Sequence, residues 1–235
     1  MQTDLRSDST EWIDLPNRHV SRGDLVRFAQ FNLSHIPVRR FVGEPHFETD
    51  ATEFFLEKIA ACRSYLEFGA GGSTLKAASL GLPFVSVECD RLFASAMRKS
   101  LSGLRKDQRL LYINVGLTTN WSEPLLKTPT KGRVTKWKAY WERAWNFVSE
   151  SAPPDLTLID GRFRICCALE TVKRLSGRQD WTILVHDYTG RPIYRAIEEF
   201  ANLERTVDSM AVFRPKEFSL DDLQRCQVYF STDWR

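Results

Sequence analysis

The sequence predicts an α/β fold: a doubly wound sheet of about seven strands, mostly parallel, with an N-terminal helical extension. Two observations predict it. From residue 65 onward, short apolar runs alternate with helix-length amphipathic segments, which is typical of parallel strands joined by crossover helices. Polar residues also follow the successive predicted strands, and a doubly wound sheet places its ligand site at the carboxyl ends of its strands.

The chain of 235 residues is long enough for one such domain with a terminal extension. Residues 1–50 are predicted to form an N-terminal arm and helical cap, and residues 51–235 the main domain. The strands are predicted at residues 65–68, 83–88, 110–115, 156–160 and 181–186, with further candidates near 207–213 and 228–231. Helices are predicted near residues 73–80, 90–104, 136–149, 164–175 and 193–200.

Composition excludes several classes of function. The net charge of +3, from 33 basic and 30 acidic residues, is too balanced for a nucleic-acid-binding protein. The five cysteines have no metal-ligand spacing, and their odd number does not suggest a disulfide framework. No opening run resembles a signal peptide, and no stretch approaches the roughly 20 apolar residues of a membrane span. We therefore expect a cytoplasmic protein in a reducing compartment.

A glycine-rich turn follows the first predicted strand, in the stretch Tyr65–Thr74. Glycines at a strand-to-helix turn allow a ligand close to the backbone, and the amides of the helix N-terminus then face that ligand. Gly69 and Gly71 begin like the dinucleotide fingerprint, but Thr74 stands where its third glycine would be. Glu88 ends the second strand about 20 residues later, where an acid can bind ribose hydroxyls.

This acid suits the ribose of NAD and that of S-adenosylmethionine equally. The carboxylate of Glu67 beside the turn would repel a diphosphate and attract an ammonium or sulfonium group, so it favours S-adenosylmethionine. The alternative is a tight turn with surface acids and no ligand.

The segment Leu66–Thr74 resembles motif I of the class I S-adenosylmethionine-dependent methyltransferases, and Val85–Glu88 resembles their second strand with its ribose-binding acid. The resemblance implies a Rossmann-like sheet with an antiparallel last strand, and S-adenosylmethionine as cofactor. It also implies cofactor contacts at Glu67, Gly69, Ala70, Gly71, Gly72, Ser73, Glu88 and Asn114.

A second group of polar residues follows the fourth and fifth strands. Asp160-Gly161-Arg162 and His186-Asp187-Tyr188 are similar to segments of the metal-dependent sugar O-methyltransferases of the macrocin type. That resemblance implies Asp160, His186 and Asp187 as catalytic residues and as ligands of a divalent cation. A histidine among the ligands suits Zn, Mn or Fe better than Mg.

Arg162 stands where the family has a second acid, and an arginine cannot act as a base at neutral pH. Arg162, Arg164 and Arg191 can instead form a positive rim that binds an anionic acceptor. Without a metal, His186 or Asp187 would be the base. In a purely structural role, the two aspartates would cap helices.

The sequence therefore favours O-methylation of a small molecule or sugar acceptor, with a divalent metal as a further hypothesis. Two alternatives stay open: a module that binds S-adenosylmethionine without transfer activity, and an NAD-dependent oxidoreductase. The aromatic stripe Trp137, Trp141 and Trp145 is typical of a core or of a subunit interface, so a homo-oligomer is also open.

Overall fold

The computed structural model describes Val26 and residues 43–101 and 103–235. Apart from Val26, the predicted arm up to residue 42 lies outside these residues. Within the described residues, none of the helices combines the length and the apolar composition that a membrane span needs.

Residues 43–101 and 103–235 contain seven strands and six α-helices, and most of the strands are separated by helices. The strands are β1 Tyr65–Phe68, β2 Phe84–Glu88, β3 Gln108–Tyr112, β4 Leu156–Ile159, β5 Thr182–Val185, β6 Asn202–Val207 and β7 Met210–Arg214. The α-helices are α1 Thr49–Ala61, α2 Gly72–Ser79, α3 Arg91–Ser100, α4 Lys131–Glu142, α5 Arg164–Arg174 and α6 Leu220–Phe230. Short 3-10 segments occupy Asn120–Ser122, Arg143–Asn146 and Pro192–Glu199.

The strands form one sheet in the order β3-β2-β1-β4-β5-β7-β6. The first five strands of this order are parallel, and β7 is antiparallel to both β5 and β6. The predicted doubly wound, mostly parallel sheet of about seven strands with an antiparallel last strand is confirmed. Every parallel strand therefore has its carboxyl end at the same edge.

Apolar side chains cover both faces of the sheet. Alternate residues of β1 point to opposite faces: Leu66 and Phe68 join the larger core cluster, and Tyr65 joins the smaller one beneath α1. The aromatic stripe belongs to the larger cluster, where Trp137 and Trp141 are completely buried. The sequence left core and subunit interface open for this stripe, and the structure places those two residues in the core.

Several predicted elements differ from the structure. The single strand predicted near 207–213 spans the turn between β6 and β7, so most of β6 was not predicted, and the helix predicted near 193–200 is a 3-10 segment. The segment predicted as a strand at 228–231 lies in α6, which buries Leu223, Gln227 and Phe230 on one face. A short apolar run fits a strand and a helix equally, and the helix signals here were the cap at Ser219 and the acids of the first turn. β3 begins two residues earlier than predicted, and α4 begins five residues earlier, after the cap Thr130.

The end of the chain holds the beginning of α5 in place. The amide of Phe163 donates to the Trp234 carbonyl, and the amide of Arg164 donates to the Arg235 carbonyl, both at 3.1 Å. These carbonyls satisfy amides that a helix N-terminus leaves without partners. Phe163 itself has a left-handed backbone, with φ of 55°. This turn fixes the position of Arg164 at the carboxyl edge of the sheet.

Candidate functional site

The carboxyl edge of the sheet gathers the predicted site residues into two halves. The glycine-turn half consists of residues 67–74, from the end of β1 into α2, and of Glu88 at the end of β2. The acid–histidine half consists of Asp160 after β4, with His186 and Asp187 after β5. Because β1 lies between β2 and β4, the two halves are neighbours along one edge.

The glycines of the turn meet different surroundings. A Cβ on Gly69 would lie 2.6 Å from the Gly161 amide nitrogen, and the φ of Gly69 is +102°. A Cβ on Gly72 would overlap the Glu44 carbonyl at 2.1 Å. The corresponding position on Gly71 has no heavy atom of the described residues within 4 Å beyond its chain neighbours. Close packing of the chain thus requires Gly69 and Gly72, whereas Gly71 leaves room for a ligand.

Glu67 is completely buried beneath the turn and bonds to the first turn of α2. Thr74 Oγ1 donates to Glu67 Oε2 at 2.6 Å, and the Ser73 hydroxyl donates to Oε1. Burial raises the pKa of Glu67 to about 7, although these hydroxyls lower it. We expected Glu67 to face a bound amino-acid group. Its carboxylate is directed inward instead, because two hydroxyls of α2 lie within its reach.

Glu88 is nearly buried, with 4% of its surface exposed. Its Oε1 accepts from the amides of Cys89 and Asp90 at 2.7 and 2.6 Å, and from the Ser122 hydroxyl at 2.9 Å. Burial raises the pKa of Glu88 to about 7. No sequence signal marked Ser122, which lies in the loop after β3. Its contact shows that a hydroxyl fits against this carboxylate.

Ala70 and Asn114 border the glycine-turn half. Ala70 packs against the small core cluster of α3. Asn114 is exposed, and its Oδ1 accepts from the Gly116 amide at 2.9 Å. The amide of Ile113 donates to the Glu88 carbonyl at 2.8 Å, so Asn114 follows directly beside the end of β2. The predicted ligand contacts of both residues stay predictions.

In the acid–histidine half, His186 lies between two carboxylates. Its Nδ1 is 2.9 Å from Asp160 Oδ1, and its Nε2 is 3.2 Å from Glu48 Oε2. Because an ionised carboxylate can only accept hydrogen bonds, the ring donates in both contacts. Burial lowers the pKa of His186, but these carboxylates and Asp187 outweigh it and raise the pKa above its ordinary value. Glu48 could not be predicted from sequence, because it precedes His186 by 138 positions.

Asp187 lies between two arginines. Its Oδ2 accepts from Arg164 Nη1 at 2.8 Å and from Arg191 Nη2 at 3.0 Å. Partial burial raises the pKa of Asp187, but the two guanidiniums and His186 hold it below its ordinary value. Asp187 also has a left-handed backbone, with φ of 58°. Such a conformation in a non-glycine residue is frequent at functional sites.

The three arginines predicted to form a rim occupy different depths. Arg164 is 2% exposed and lies beneath the two aspartates, so it does not stand at a rim. Arg162 is also buried, and its Nε has no hydrogen-bond partner in the described part of the chain. Arg191 has one third of its side chain exposed. Of the three, Arg191 is the one placed to meet an acceptor.

Comparison with solved structures identifies the fold. A methyltransferase-like protein from Silicibacter pomeroyi is 26% identical, with a TM-score of 0.66, and the match covers 81% of this chain and 98% of that one. The chain has a Rossmann-like methyltransferase fold. An O-methyltransferase from Bacillus cereus, solved with S-adenosylhomocysteine, is 16% identical, with a TM-score of 0.45 and coverage of 83% and 92%. No protein-family model matches the sequence, and neither does any curated protein.

On this methyltransferase fold, Asp160, His186 and Asp187 offer one ligand atom each, all within 4.8 Å of one another. The distances would admit a divalent cation, but the charges do not favour one. Arg164 contacts both carboxylates and Arg191 contacts one of them, so two guanidiniums balance two carboxylates. A divalent cation is held by an excess of negative charge. The three residues therefore do not fit a metal in this arrangement.

Proposed function

We propose that the protein is an S-adenosylmethionine-dependent methyltransferase that methylates an oxygen of a small molecule or glycan precursor. The observation that carries this proposal is the sheet order with an antiparallel β7, in a fold that is similar overall to that of the methyltransferase-like protein. The classic dinucleotide-binding sheet has the order 3-2-1-4-5-6 and no such inserted strand. The sheet order therefore favours a methyltransferase over an oxidoreductase.

The glycine-turn half supports S-adenosylmethionine as the cofactor. Glu88 ends β2, and it already accepts a hydroxyl from Ser122, as it would from a ribose. All three hydrogen bonds that Glu88 accepts within the described residues fall on Oε1, so Oε2 is left for a ligand. The open side of Gly71 lies next to the first amides of α2. When bound there, S-adenosylmethionine supplies a methyl group activated by its sulfonium.

The acid–histidine half supports a hydroxyl acceptor. In this structure both ring nitrogens of His186 donate to carboxylates, so the ring acts as a base only after it loses its Nε2 proton. Asp160 still accepts from Nδ1, and Nε2 is then the basic nitrogen. A hydroxyl is a weak nucleophile until a base takes its proton, and Nε2 is placed to do so. Glu48 occupies that nitrogen in the described arrangement, so an acceptor hydroxyl would take the place of the Glu48 carboxylate.

The N-terminal segment supplies a wall of the proposed acceptor pocket. The backbone of Glu44 and Pro45 packs on Gly72, and the ring of Phe47 lies 5.0 Å from the ring of His186, edge to face. With Glu48 on Nε2, this segment touches both halves of the sheet edge. We therefore assign the recognition of the acceptor in part to residues 44–48 and in part to Arg191.

A transfer assay tests the proposal. The protein is incubated with S-adenosylmethionine carrying a labelled methyl group and a panel of sugars, polyols and phenols, each with and without a phosphate or carboxylate. We expect label in at least one hydroxyl compound, with anionic members preferred because of Arg191. Label transferred to a nitrogen or carbon atom alone would contradict O-methylation.

A cofactor-binding module without transfer activity is the second candidate. It is favoured by Arg162, because a buried arginine stands where the resemblance implies a base. This candidate predicts binding of S-adenosylmethionine with no labelled product in any member of the panel. His186→Ala separates the two, since it would reduce product formation only if the protein is an enzyme.

A further inference from the structure

Arg164 carries a positive charge in the centre of the acid–histidine half, and within the described residues its side chain donates hydrogen bonds to oxygen atoms only. Its Nε donates to the Gly161 carbonyl at 3.0 Å. Its Nη1 donates to the His186 carbonyl at 2.7 Å and to Asp187 Oδ2 at 2.8 Å. Its Nη2 donates to the Asp160 carbonyl at 3.1 Å and to Asp160 Oδ1 at 3.2 Å.

These contacts use the whole hydrogen-bonding capacity of the side chain. A guanidinium has five N–H groups, and here the five donations reach three carbonyls and two carboxylates. An all-oxygen shell that includes two carboxylates is also what a hard divalent cation requires. The oxygen atoms around Arg164 thus have the composition of a metal-cation site, but the cation that they bind is the guanidinium of the protein itself.

We infer that the Arg164 guanidinium replaces a divalent cation, and that it acts as a positioning residue for Asp160, His186 and Asp187. The three residues come from the ends of two strands, and Arg164 connects these ends by bonding to both. Its fixed charge compensates both carboxylates, and it repels any ion that approaches the same oxygens. Asp160 then keeps His186 in the orientation in which Nε2 faces residues 44–48.

The local fold explains why an arginine can serve here. Phe163 has a left-handed backbone and the carbonyls of Trp234 and Arg235 hold the first amides of α5, so residue 164 begins the helix directly beneath the two strand ends. Only 3% of the Arg164 side chain is exposed. A buried and fully bonded guanidinium is held in one geometry, as a bound ion would be.

The inference concerns the same residues as the proposed function, but its test needs neither cofactor nor acceptor. EDTA-treated protein is titrated with Mn²⁺, and free Mn²⁺ is measured by electron paramagnetic resonance. We expect no wild-type site tighter than about 1 mM, the weak limit of protein oxygen-ligand sites. Arg164→Ala should bind Mn²⁺ at least tenfold more tightly than wild type, because it frees the oxygens and removes the opposing charge.

Two controls make the result specific. Adding Asp187→Asn to Arg164→Ala should abolish the gained affinity. Arg174→Ala, which removes another arginine of α5 with a carboxylate partner, Glu170, should produce no gain. Circular dichroism and thermal melting establish that each variant is folded. A purely structural arginine would produce instability without a new Mn²⁺ site.

Two results would overturn the inference: stoichiometric Mn²⁺ binding by the wild type that Asp187→Asn abolishes, or a folded Arg164→Ala that gains no affinity. If Arg164→Ala does not fold, the wild-type titration decides, since tight binding refutes the inference and absence of binding supports it. Methyl transfer that persists in EDTA would agree with the inference. Absence of transfer would count against the proposed function and leave the Mn²⁺ result standing.

Discussion

The two halves of the sheet edge are built from different kinds of contact. In the glycine-turn half, Glu67 bonds to Ser73 and Thr74, which follow it by six and seven positions. In the acid–histidine half, His186 bonds to Asp160 and Glu48, which lie 26 and 138 positions away. The first half is therefore assembled largely within one strand–turn–helix unit. The second half exists only once distant parts of the chain have come together.

The two halves also differ in the charged partners and the pKa values of their acidic side chains. In the glycine-turn half, burial raises the pKa of Glu67 and of Glu88 to about 7, and no arginine or lysine of the described part of the chain bonds to either carboxylate. In the acid–histidine half, Arg164 and Arg191 hold the pKa of Asp187 below its ordinary value. The two halves therefore offer the proposed ligands different surroundings: open space and buried carboxylates in one half, and a balanced set of fixed charges in the other.

The largest expected effect is on turnover in the acid–histidine half. His186→Ala should lower the methyl-transfer rate by roughly 10²–10⁴-fold, because it removes the proposed base. Affinity for S-adenosylhomocysteine should stay within about twofold, since His186 lies outside the glycine-turn half. Single-turnover rates and calorimetry on the same preparation check this. Equal losses of rate and of cofactor affinity would show that the halves are not separable.

In the glycine-turn half, two glycine substitutions should have different effects on stability. Gly69→Ala should lower the free energy of unfolding by on the order of 2–4 kcal/mol, because it combines a φ of +102° with a 2.6 Å approach to Gly161. Gly71→Ala should cost about 1 kcal/mol or less, since φ there is −176° and the Cβ position is open.

Gly71→Ala should instead weaken S-adenosylhomocysteine binding by about tenfold, because its Cβ would enter the space left for the ligand. Urea denaturation and calorimetry on the two variants measure both quantities. The account fails here if Gly71→Ala unfolds the protein as readily as Gly69→Ala, or if Gly71→Ala binds the ligand like the wild type.

A smaller effect concerns stability and pH. Glu67 and Glu88 have pKa values of about 7 in the folded protein, above the ordinary value of 4.5. Between these values the folded chain binds more protons than the unfolded chain, so stability falls as the pH rises. His186, whose pKa is raised above 6.5, adds a loss of the same sign near and above neutrality.

We therefore expect the melting temperature to be higher at pH ~5.5 than at pH ~8, by on the order of 5 °C. Glu67→Gln should reduce this difference, because an amide does not titrate. Differential scanning calorimetry of both proteins across the range measures it. A melting temperature that rises steadily to pH ~8 would contradict the burial of the two carboxylates.

The sequence was sufficient to predict most of the fold and the position of the glycine-rich turn after β1. Alternating strand and helix patterns placed the sheet, and the turn after β1 was visible because Gly69, Gly71 and Glu88 are close in sequence. The end of the chain was predicted less well. The apolar run around Val228 predicted a strand. It is helical, because Leu223 and Phe230 pack against the core from one face of α6.

The roles of the arginines could not be predicted, because burial is not encoded in a short motif. Arg162, Arg164 and Arg191 look alike in sequence, yet the first two are buried and the third is partly exposed. Likewise, Glu67 looked like a ligand contact, but hydroxyls at the start of α2 bind its carboxylate first. The burial of Arg164 depends on how α5 begins, and the hydrogen bonds of Glu67 depend on how α2 begins.

Calorimetric titration of the folded protein with S-adenosylhomocysteine measures whether the glycine-turn half binds the cofactor, with Glu88→Gln as the matched variant. We predict a single site in the wild type and an affinity at least tenfold weaker in Glu88→Gln, since charge-assisted hydrogen bonds to hydroxyls contribute about 1.5–3 kcal/mol. The variant keeps its melting temperature to within a few degrees. No binding heat from folded wild-type protein, or equal affinities in the two proteins, would contradict the account.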